Sequence, residues 1–437
     1  MITALPRYVL GGCALGAILA GCGGAQPAIG PLGAPQQNRI AATHSKIEHV
    51  VIVVQMGRSF NDLFYGYPGA KSTMYGYDSS GRKVELKPVS LATRWNLGVN
   101  AYAACNGTGS LPGTDCRMNG FNNETWTCGL PGEPRCPIKY PPYSYVPHDE
   151  TRLYFDIAQQ YVLADEMYAS NFSASSFGSL QYVIAAQDHN TFGYPSGAQG
   201  CGGGPLDWIN TVGGKRIHPC FNYATLGDEL DAAQLSWAYY GLAKVDQTCG
   251  TQRSPRLGFG AWIAYWATKH IYYGPDCKSD VVSPPKHFLA DVKAGALRTV
   301  SWVTPRYEDS DMGGSGSVTG PSWVASLVNA VGESKYWNST AIFILWDSYG
   351  GWYDPEPPEY LDEEGLGFRV PLVIVSPYAK RGYVSHVHYE HGSILKFAED
   401  QFGLGRLAAS DRRANSPERD AFDFSKPPRK FVPLKRD

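Results

Sequence analysis

The run Ile342-Phe343-Ile344-Leu345-Trp346 stops on a carboxylate, Asp347, and Ser348-Tyr349-Gly350-Gly351 then turns the chain. An unbroken apolar run of this length reads as a strand buried on both faces, and a glycine pair reads as a sharp turn. In open α/β sheets, ligands and metals collect at the carboxyl ends of strands, so Asp347 stands where a charge or a metal would be held. A second apolar run, Val50–Val54, leads into Gln55-Met56-Gly57-Arg58-Ser59-Phe60 and repeats the design without a carboxylate.

Three other groups have the residue types for chemistry. Ser173-Ala174-Ser175-Ser176-Phe177-Gly178-Ser179 offers hydroxyls, with Ser176 as candidate nucleophile and Ser175 as its neighbour. Serine also favours helix N-caps, which is the structural alternative for this run. A serine hydroxyl attacks poorly unless a base or a metal activates it. Asp309, Asp311 and Asp347 all fall near predicted strand ends, where three carboxylates could hold a hard cation or serve as solvated turn formers. His386, His388 and His391 form an H-x-H-x-x-H cluster whose spacing suits zinc, with packing and hydrogen bonding as the alternative. A Ser-His-Asp arrangement using Ser176 and His386 lacks the G-x-S-x-G turn that would support it.

The elements that position these residues follow from patterning. Val50–Val54, Thr299–Thr304, Ala341–Leu345 and Val370–Val375 read as strands. Thr151–Ala164, Ser179–Gln187, Pro321–Val331 and Ser393–Phe402 read as helices. Alternating strands and helices predict an α/β fold: a mostly parallel central sheet flanked by helices. Residues of about 71–145 and 200–285 are rich in Gly, Pro and Cys and read as irregular insertions over the functional edge. The domain is expected to run from 45 to 437 as one unit, and no internal repeat is found.

The beginning of the chain predicts export. Arg7 precedes an apolar run, Tyr8–Ala20, that is short for a membrane span and closes on Leu19-Ala20-Gly21-Cys22. This resembles a bacterial lipobox. It implies a signal segment over 1–21, lipidation of Cys22 and a flexible tether over 22–44. Gly23 rather than Asp follows the cysteine, so the expected location is the cell envelope with an outer-membrane anchor. The chain has 10 cysteines. With Cys13 removed and Cys22 lipidated, the remaining eight are expected to pair as disulfides in an oxidising compartment. No C-x-x-C spacing argues for zinc. A formal net charge of -2 over 437 residues gives no footing for a nucleic-acid partner. The 28 Tyr, 17 Phe and 11 Trp fit either carbohydrate or lipid contact or a Tyr-rich core and loops.

Ordered landmarks carry a family resemblance. They are Gly320-Pro321-Ser322-Trp323-Val324, Gly350-Gly351-Trp352-Tyr353-Asp354, Arg369-Val370-Pro371-Leu372, Ser376-Pro377-Tyr378-Ala379 and Gly392-Ser393-Ile394-Leu395-Lys396-Phe397. With the stretches Ile47–Ala70, Tyr145–Gln187, Ser301–Trp337 and Ala341–Phe424, the chain resembles the bacterial phosphoesterase family, which includes secreted phospholipases C and acid phosphatases. The resemblance implies an alkaline-phosphatase-like fold, a phosphate-ester or phospholipid ligand, a divalent metal, a serine nucleophile at Ser176 and a phosphate-binding cation at Arg58. It also implies that five positions have changed. The family has Glu-Asn where this chain has Met56-Gly57, His where it has Val99 and Met312, and an acidic residue where it has Ser348. Asp347 and Asp311 are then the residual ligand candidates. Two readings follow: a phosphoric-ester hydrolase whose metal-dependent activity is weak or lost, and a catalytically silent surface lipoprotein on the same fold. The sequence names no substrate and no protein partner.

Overall fold

The computed structural model describes residues 45–435 except 111–113, 130–135, 174, 198–199, 204–206, 244–248, 251–261 and 363–364. The expected signal segment, Cys22 and the expected tether lie outside the described residues. Among the described residues, eight strands build the main sheet: β1 His49–Gln55, β2 Val162–Ala164, β3 Trp237–Tyr240, β4 Val281–Val282, β5 Val300–Val303, β6 Thr340–Trp346, β7 Leu372–Val375 and β8 Tyr383–Ser385. Their order is β4-β3-β5-β1-β6-β7-β2-β8. Every pairing is parallel except those of β7, which runs antiparallel to β6 and β2. The mostly parallel sheet therefore stands. Its central strands are Val-, Ile- and Leu-rich because both faces are covered.

Two helix pairs flank the sheet. Helix α1 His148–Gln160 packs on α3 Gly320–Gly332, and α2 Ser176–Ala185 packs on α4 His391–Phe402. Pro321 lies in the first turn of α3, where its missing N–H costs nothing. Gly403 ends α4 in the left-handed conformation.

Three sequence expectations need correction. The helix expected over Thr151–Ala164 ends at Gln160, and Val162–Ala164 is a fully buried strand. A three-residue apolar run has no periodicity to separate helix from strand, so its two strand partners, β7 and β8, decide. Residues 200–285 are more than an insertion, since they supply β3 and β4 to the main sheet. Residues 71–145 carry short ladders, including Tyr75–Tyr77 with Lys83–Glu85 and Trp95–Leu97 with Trp126–Cys128.

The eight expected cysteines form four disulfides: Cys105–Cys116, Cys128–Cys136, Cys201–Cys220 and Cys249–Cys277. All are local in sequence, so they pin loops rather than tie distant elements. They mark a non-cytosolic protein. Much of the aromatic content is structural. Trp237, Trp302 and Trp346 lie in the main core, and a second aromatic cluster joins Phe121 and Tyr143 of the loops to Tyr349, Tyr353 and Phe368. The second cluster seats the Cys-rich loops over the end of β6.

Candidate active site

The register of β1 and β6 builds the site. Gln55 pairs with Trp346, so the two strands end side by side and release Met56-Gly57 next to Asp347-Ser348. The Asp347 amide donates to the Gln55 carbonyl at 3.0 Å. The Gly57 amide returns a bond to Asp347 Oδ1 at 2.7 Å. Gly57 makes this reach with φ of +58°, a conformation that favours glycine and tolerates asparagine. Gly350 is required for closeness, since a Cβ there would stand 2.0 Å from the Gly57 carbonyl oxygen.

Helix α2 delivers the serines to the same place. Ser175 is its N-cap, and its hydroxyl accepts from the Gly178 amide at 3.1 Å. That hydroxyl is therefore engaged in holding the helix. Ser176, the first helical residue, is 5% exposed. Burial pushes the Asp347 carboxyl up to about 6, and the Ser176 hydroxyl and Gly57 amide pull against that rise. Asp347 Oδ1 also accepts from the Ser348 hydroxyl at 3.3 Å, whereas buried Oδ2 has no hydrogen-bond partner among the described residues.

Tyr194 completes the arrangement. Its phenolic oxygen accepts from the Ser176 amide at 3.1 Å, and its O–H donates to Ser176 Oγ at 3.2 Å. A cavity of about 280 Å³ opens here, lined by Val99, Asn100, Tyr102, Ser173, Ser175 and Tyr194. Sequence reasoning missed Tyr194. It lies in a loop, Phe192-Gly193-Tyr194-Pro195, whose composition signals a turn and nothing more.

The five positions expected to be altered are placed by different routes. Met312 packs near Gly57, with its Cγ 3.7 Å from where a Gly57 Cβ would be. Ser348 is buried beside Asp347, and Val99 lines the cavity. Met56 is buried in the main apolar core.

Other candidates are placed elsewhere. Arg58, expected to bind phosphate, is fully buried and pairs with Asp62 at 3.0 Å. It also donates to the Asp311 carbonyl at 2.7 Å and covers the Trp352 ring at 4.2 Å. These contacts join the end of β1 to the loop after Tyr307, while its buried Nη2 has no hydrogen-bond partner among the described residues. Asp311 Oδ2 accepts from the Tyr154 hydroxyl at 2.6 Å and the Trp346 indole at 3.0 Å. Burial raises its pKa to about 6, with both hydrogen bonds opposing. Asp309 pairs with Arg306 at 2.9 Å. The three carboxylates thus have three separate environments.

The histidine cluster also divides. His386 bonds to Asp165 at 2.8 Å, and His388 lies 3.3 Å from Glu359 and 3.6 Å from Glu166. His391 is buried, its Nε2 facing the Trp346 carbonyl at 3.4 Å, and burial lowers its pKa to about 4. His386 follows a strand while His391 opens a helix, so equal spacing in sequence gives unequal directions in space. His386 has Asp165 as its partner, so the Ser176–His386 pairing is not formed.

The residues do not fit a divalent metal. Asp347 Oδ2 offers one unpaired buried oxygen, but its neighbours bring a glycine, a methionine and a hydroxyl. Among the described residues, no group of three or more His, Cys, Asp or Glu side chains is gathered so as to hold a metal ion.

Residues 47–405 match the phosphoesterase family. The chain belongs to that family. This phosphoesterase is 24% identical over 449 residues to phospholipase C B of Mycobacterium tuberculosis, covering 89% of this chain and 80% of that protein. It is 23% identical over 430 residues to the non-hemolytic phospholipase C of Burkholderia pseudomallei, covering 84% of this chain and 56% of that protein. Among solved structures it is similar to an alkaline phosphatase superfamily protein from Vibrio parahaemolyticus. That likeness has a TM-score of 0.37 and 10% identity, and covers 86% of this chain and 72% of the other. The phosphoesterase has the expected α/β architecture, a mostly parallel sheet flanked by helices.

Proposed function

We propose that this phosphoesterase is a phosphate-ester hydrolase of phospholipase C type, with Ser176 as nucleophile and with metal-dependent turnover weak or lost. The observation that carries this reading is Ser176 at the start of α2, hydrogen-bonded to Tyr194 and within the electrostatic surroundings of Asp347 at the end of β6, in a site whose other side chains are poor metal donors. The phospholipase C relatives support the substrate class. A metal would neutralise phosphate charge and activate the serine, and one carboxylate is too few charges to hold it firmly.

The test is turnover of nitrophenyl phosphate and of a phosphocholine ester, with and without added calcium, manganese and zinc. The expected result is slow hydrolysis, at least ~10³-fold below a metal-replete relative, that metal fails to restore and Ser176→Ala removes. Fast, metal-stimulated turnover would contradict the loss of the metal route. Turnover unchanged in Ser176→Ala would remove the nucleophile assignment. Binding of a phosphate ester with no turnover in any condition would favour the silent relative, a reading that the sparse donor set also supports.

We also propose that Cys22 carries a lipid that anchors the domain to the outer membrane, with the phospholipid surface as its neighbour. The lipobox-like Leu19-Ala20-Gly21-Cys22 supports this. Mass analysis of the mature protein should find an acylated Cys22 at its N-terminus, and Cys22→Ser should release the protein from membranes. A mature chain starting at any other residue would overturn the anchor.

A further inference from the structure

Met74, Tyr75 and Tyr77 are 48%, 39% and 47% exposed, three large hydrophobic side chains within four positions of one hairpin. The hairpin pairs Tyr75 with Glu85 and Tyr77 with Lys83, so the two tyrosines share its outer face. Its inner face is seated over the edge of the main sheet where β1 and β6 end. A Cβ on Gly76 would lie 2.5 Å from the Tyr353 ring, in the chain that leaves β6. The Tyr143 hydroxyl donates to the Tyr77 carbonyl at 2.7 Å. Asn61, just after β1, donates to the Thr73 carbonyl at 3.1 Å and accepts from the Thr73 amide at 2.8 Å. The exposed side chains therefore stand on a backbone that is held in place. Single exposed hydrophobics are ordinary on a protein surface, but a contiguous group of them marks a contact.

A groove of about 650 Å³ adjoins the hairpin, and Arg82, Lys83, Lys87 and Lys139 line it against two carboxylates, Asp78 and Glu85. Both carboxylates are matched: Arg82 lies 2.9 Å from Asp78, and Lys87 lies 3.6 Å from Glu85. Lys83 and Lys139 sit over tyrosine rings instead, 4.1 Å from Tyr75 and 4.6 Å from Tyr140. The groove thus carries surplus positive charge beside exposed amphipathic rings. That combination suits the boundary of a bilayer, where tyrosine bridges the apolar and polar layers and lysine meets anionic headgroups. It suits a sugar platform less, because Lys83 already covers the Tyr75 ring and Tyr77 stands edge-on to it at 90°. We propose that Met74, Tyr75, Tyr77, Lys83 and Lys139 form a docking surface for a membrane rich in anionic phospholipid. This contact goes beyond the hydrolase reading and stands whether or not Ser176 is a nucleophile. It is also separate from an acyl chain on Cys22, and it turns the end of β6 toward the bilayer.

The apolar and charged parts are separable by variant. Tyr75→Ser with Tyr77→Ser removes both rings from the outer face and leaves the ladder's backbone unchanged. Lys83→Gln with Lys139→Gln removes the surplus charge and leaves the two matched pairs in place. All are made in the full Cys22→Ser chain, so acylation plays no part, and the N-terminal apolar run is common to every variant. Circular dichroism and thermal unfolding check that each variant folds.

The probes are vesicles of phosphatidylcholine alone and of phosphatidylcholine with an equal part of phosphatidylglycerol. Cosedimentation measures binding, and amide hydrogen exchange locates the contact. The expected result is binding that favours the anionic vesicles, with exchange slowed in the hairpin of Tyr75–Tyr77 and Lys83–Glu85. Lys83→Gln with Lys139→Gln should weaken that binding about twentyfold, since each lysine near an anionic surface contributes roughly fivefold, and high salt should erase the difference. Tyr75→Ser with Tyr77→Ser should weaken it about tenfold at any salt. Absence of binding to the anionic vesicles, or equal binding to both vesicle types, would overturn the proposal. So would binding that either folded double variant leaves unchanged, or binding of the parent chain without slowed exchange in the hairpin. Slowed exchange with a cello-oligosaccharide and none with vesicles would make this a carbohydrate face and overturn the membrane assignment. Slowed exchange on raising the protein concentration alone would make it a contact between copies, with the same consequence.

Discussion

Arg369→Met is expected to destabilise the fold by about 3–5 kcal/mol, because it leaves a carboxylate buried without its counter-ion. Arg369 and Asp354 are both fully buried. The guanidinium grips the carboxylate twice, Nε to Oδ1 at 3.0 Å and Nη2 to Oδ2 at 3.3 Å. Its Nη1 donates to the Asp165 carbonyl at 2.9 Å, and the whole group covers the Phe60 ring at 4.5 Å. Asp354 in turn accepts from the Asn61 amide at 3.0 Å and the Glu356 amide at 3.1 Å. One ion pair therefore ties the chain after β6 to the short helix Phe60–Phe64 and to the segment leading into β7.

The loss should depend on pH, and its sign follows from Asp354. Burial lifts this carboxyl from its ordinary 3.8 to about 6 in the folded protein, with Arg369 opposing the rise. A folded-state value above the unfolded one means that the native state binds more protons between those values. Its contribution is full below pH 3.8 and declines as pH rises through about 6. Removing Arg369 removes the opposition, so the decline becomes larger. Urea unfolding at pH 5 and pH 8 should show a greater penalty at pH 8. The double variant Arg369→Met with Asp354→Leu should recover part of the loss, because apolar residues of similar volume often replace a buried pair at little cost. Equal penalties at both pH values would contradict an uncompensated Asp354.

Rebuilding the family's residue pattern should produce the largest functional change. The variant carrying Met56→Glu, Gly57→Asn, Val99→His, Met312→His and Ser348→Asp is expected to tighten divalent-metal binding on the order of a hundredfold, since affinity follows the number and charge of ligands. Three features favour it. Asparagine tolerates the left-handed conformation of Gly57. The nearest atoms to a Gly57 Cβ lie at 3.6 Å or beyond, which is ordinary contact. Ser348 already adjoins Asp347, so an aspartate there would place two carboxylates side by side. Met56→Glu opposes it, because that site is fully buried in an apolar cluster and a charge there needs the metal to compensate it. Calorimetric titration with manganese and zinc is the measurement. A variant that folds but binds no more tightly than the parent would show that these five positions do not form the metal site here.

What could be read from the sequence alone was set by local physics. The unbroken apolar runs at Val50–Val54 and Ala341–Leu345 are β1 and β6, because only burial on both faces accounts for them. Helix α2 begins at the serine run and α3 carries Pro321 in its first turn, as their end signals require. An even set of cysteines in a chain read as exported implied oxidation, though the pairing came only with the loops' packing. Asp347 was legible because a carboxylate that ends a buried strand has to be held by something.

The remaining features depend on neighbours distant in sequence. Val162–Ala164 is a strand because β7 and β8 bracket it, and Trp237–Tyr240 is one because β4 and β5 do. Arg58 is buried between Asp62 and the Asp311 carbonyl, a placement that no count of charges reveals. The H-x-H-x-x-H spacing holds no common centre, since His386 goes to Asp165 and His391 into the core. Tyr194 reaches Ser176 from a separate loop, and Asp347 at the end of β6 is held by the Gly57 amide from the end of β1. Side-chain direction at a site is fixed by the pairing of whole elements, and that pairing exists only once the sheet has assembled.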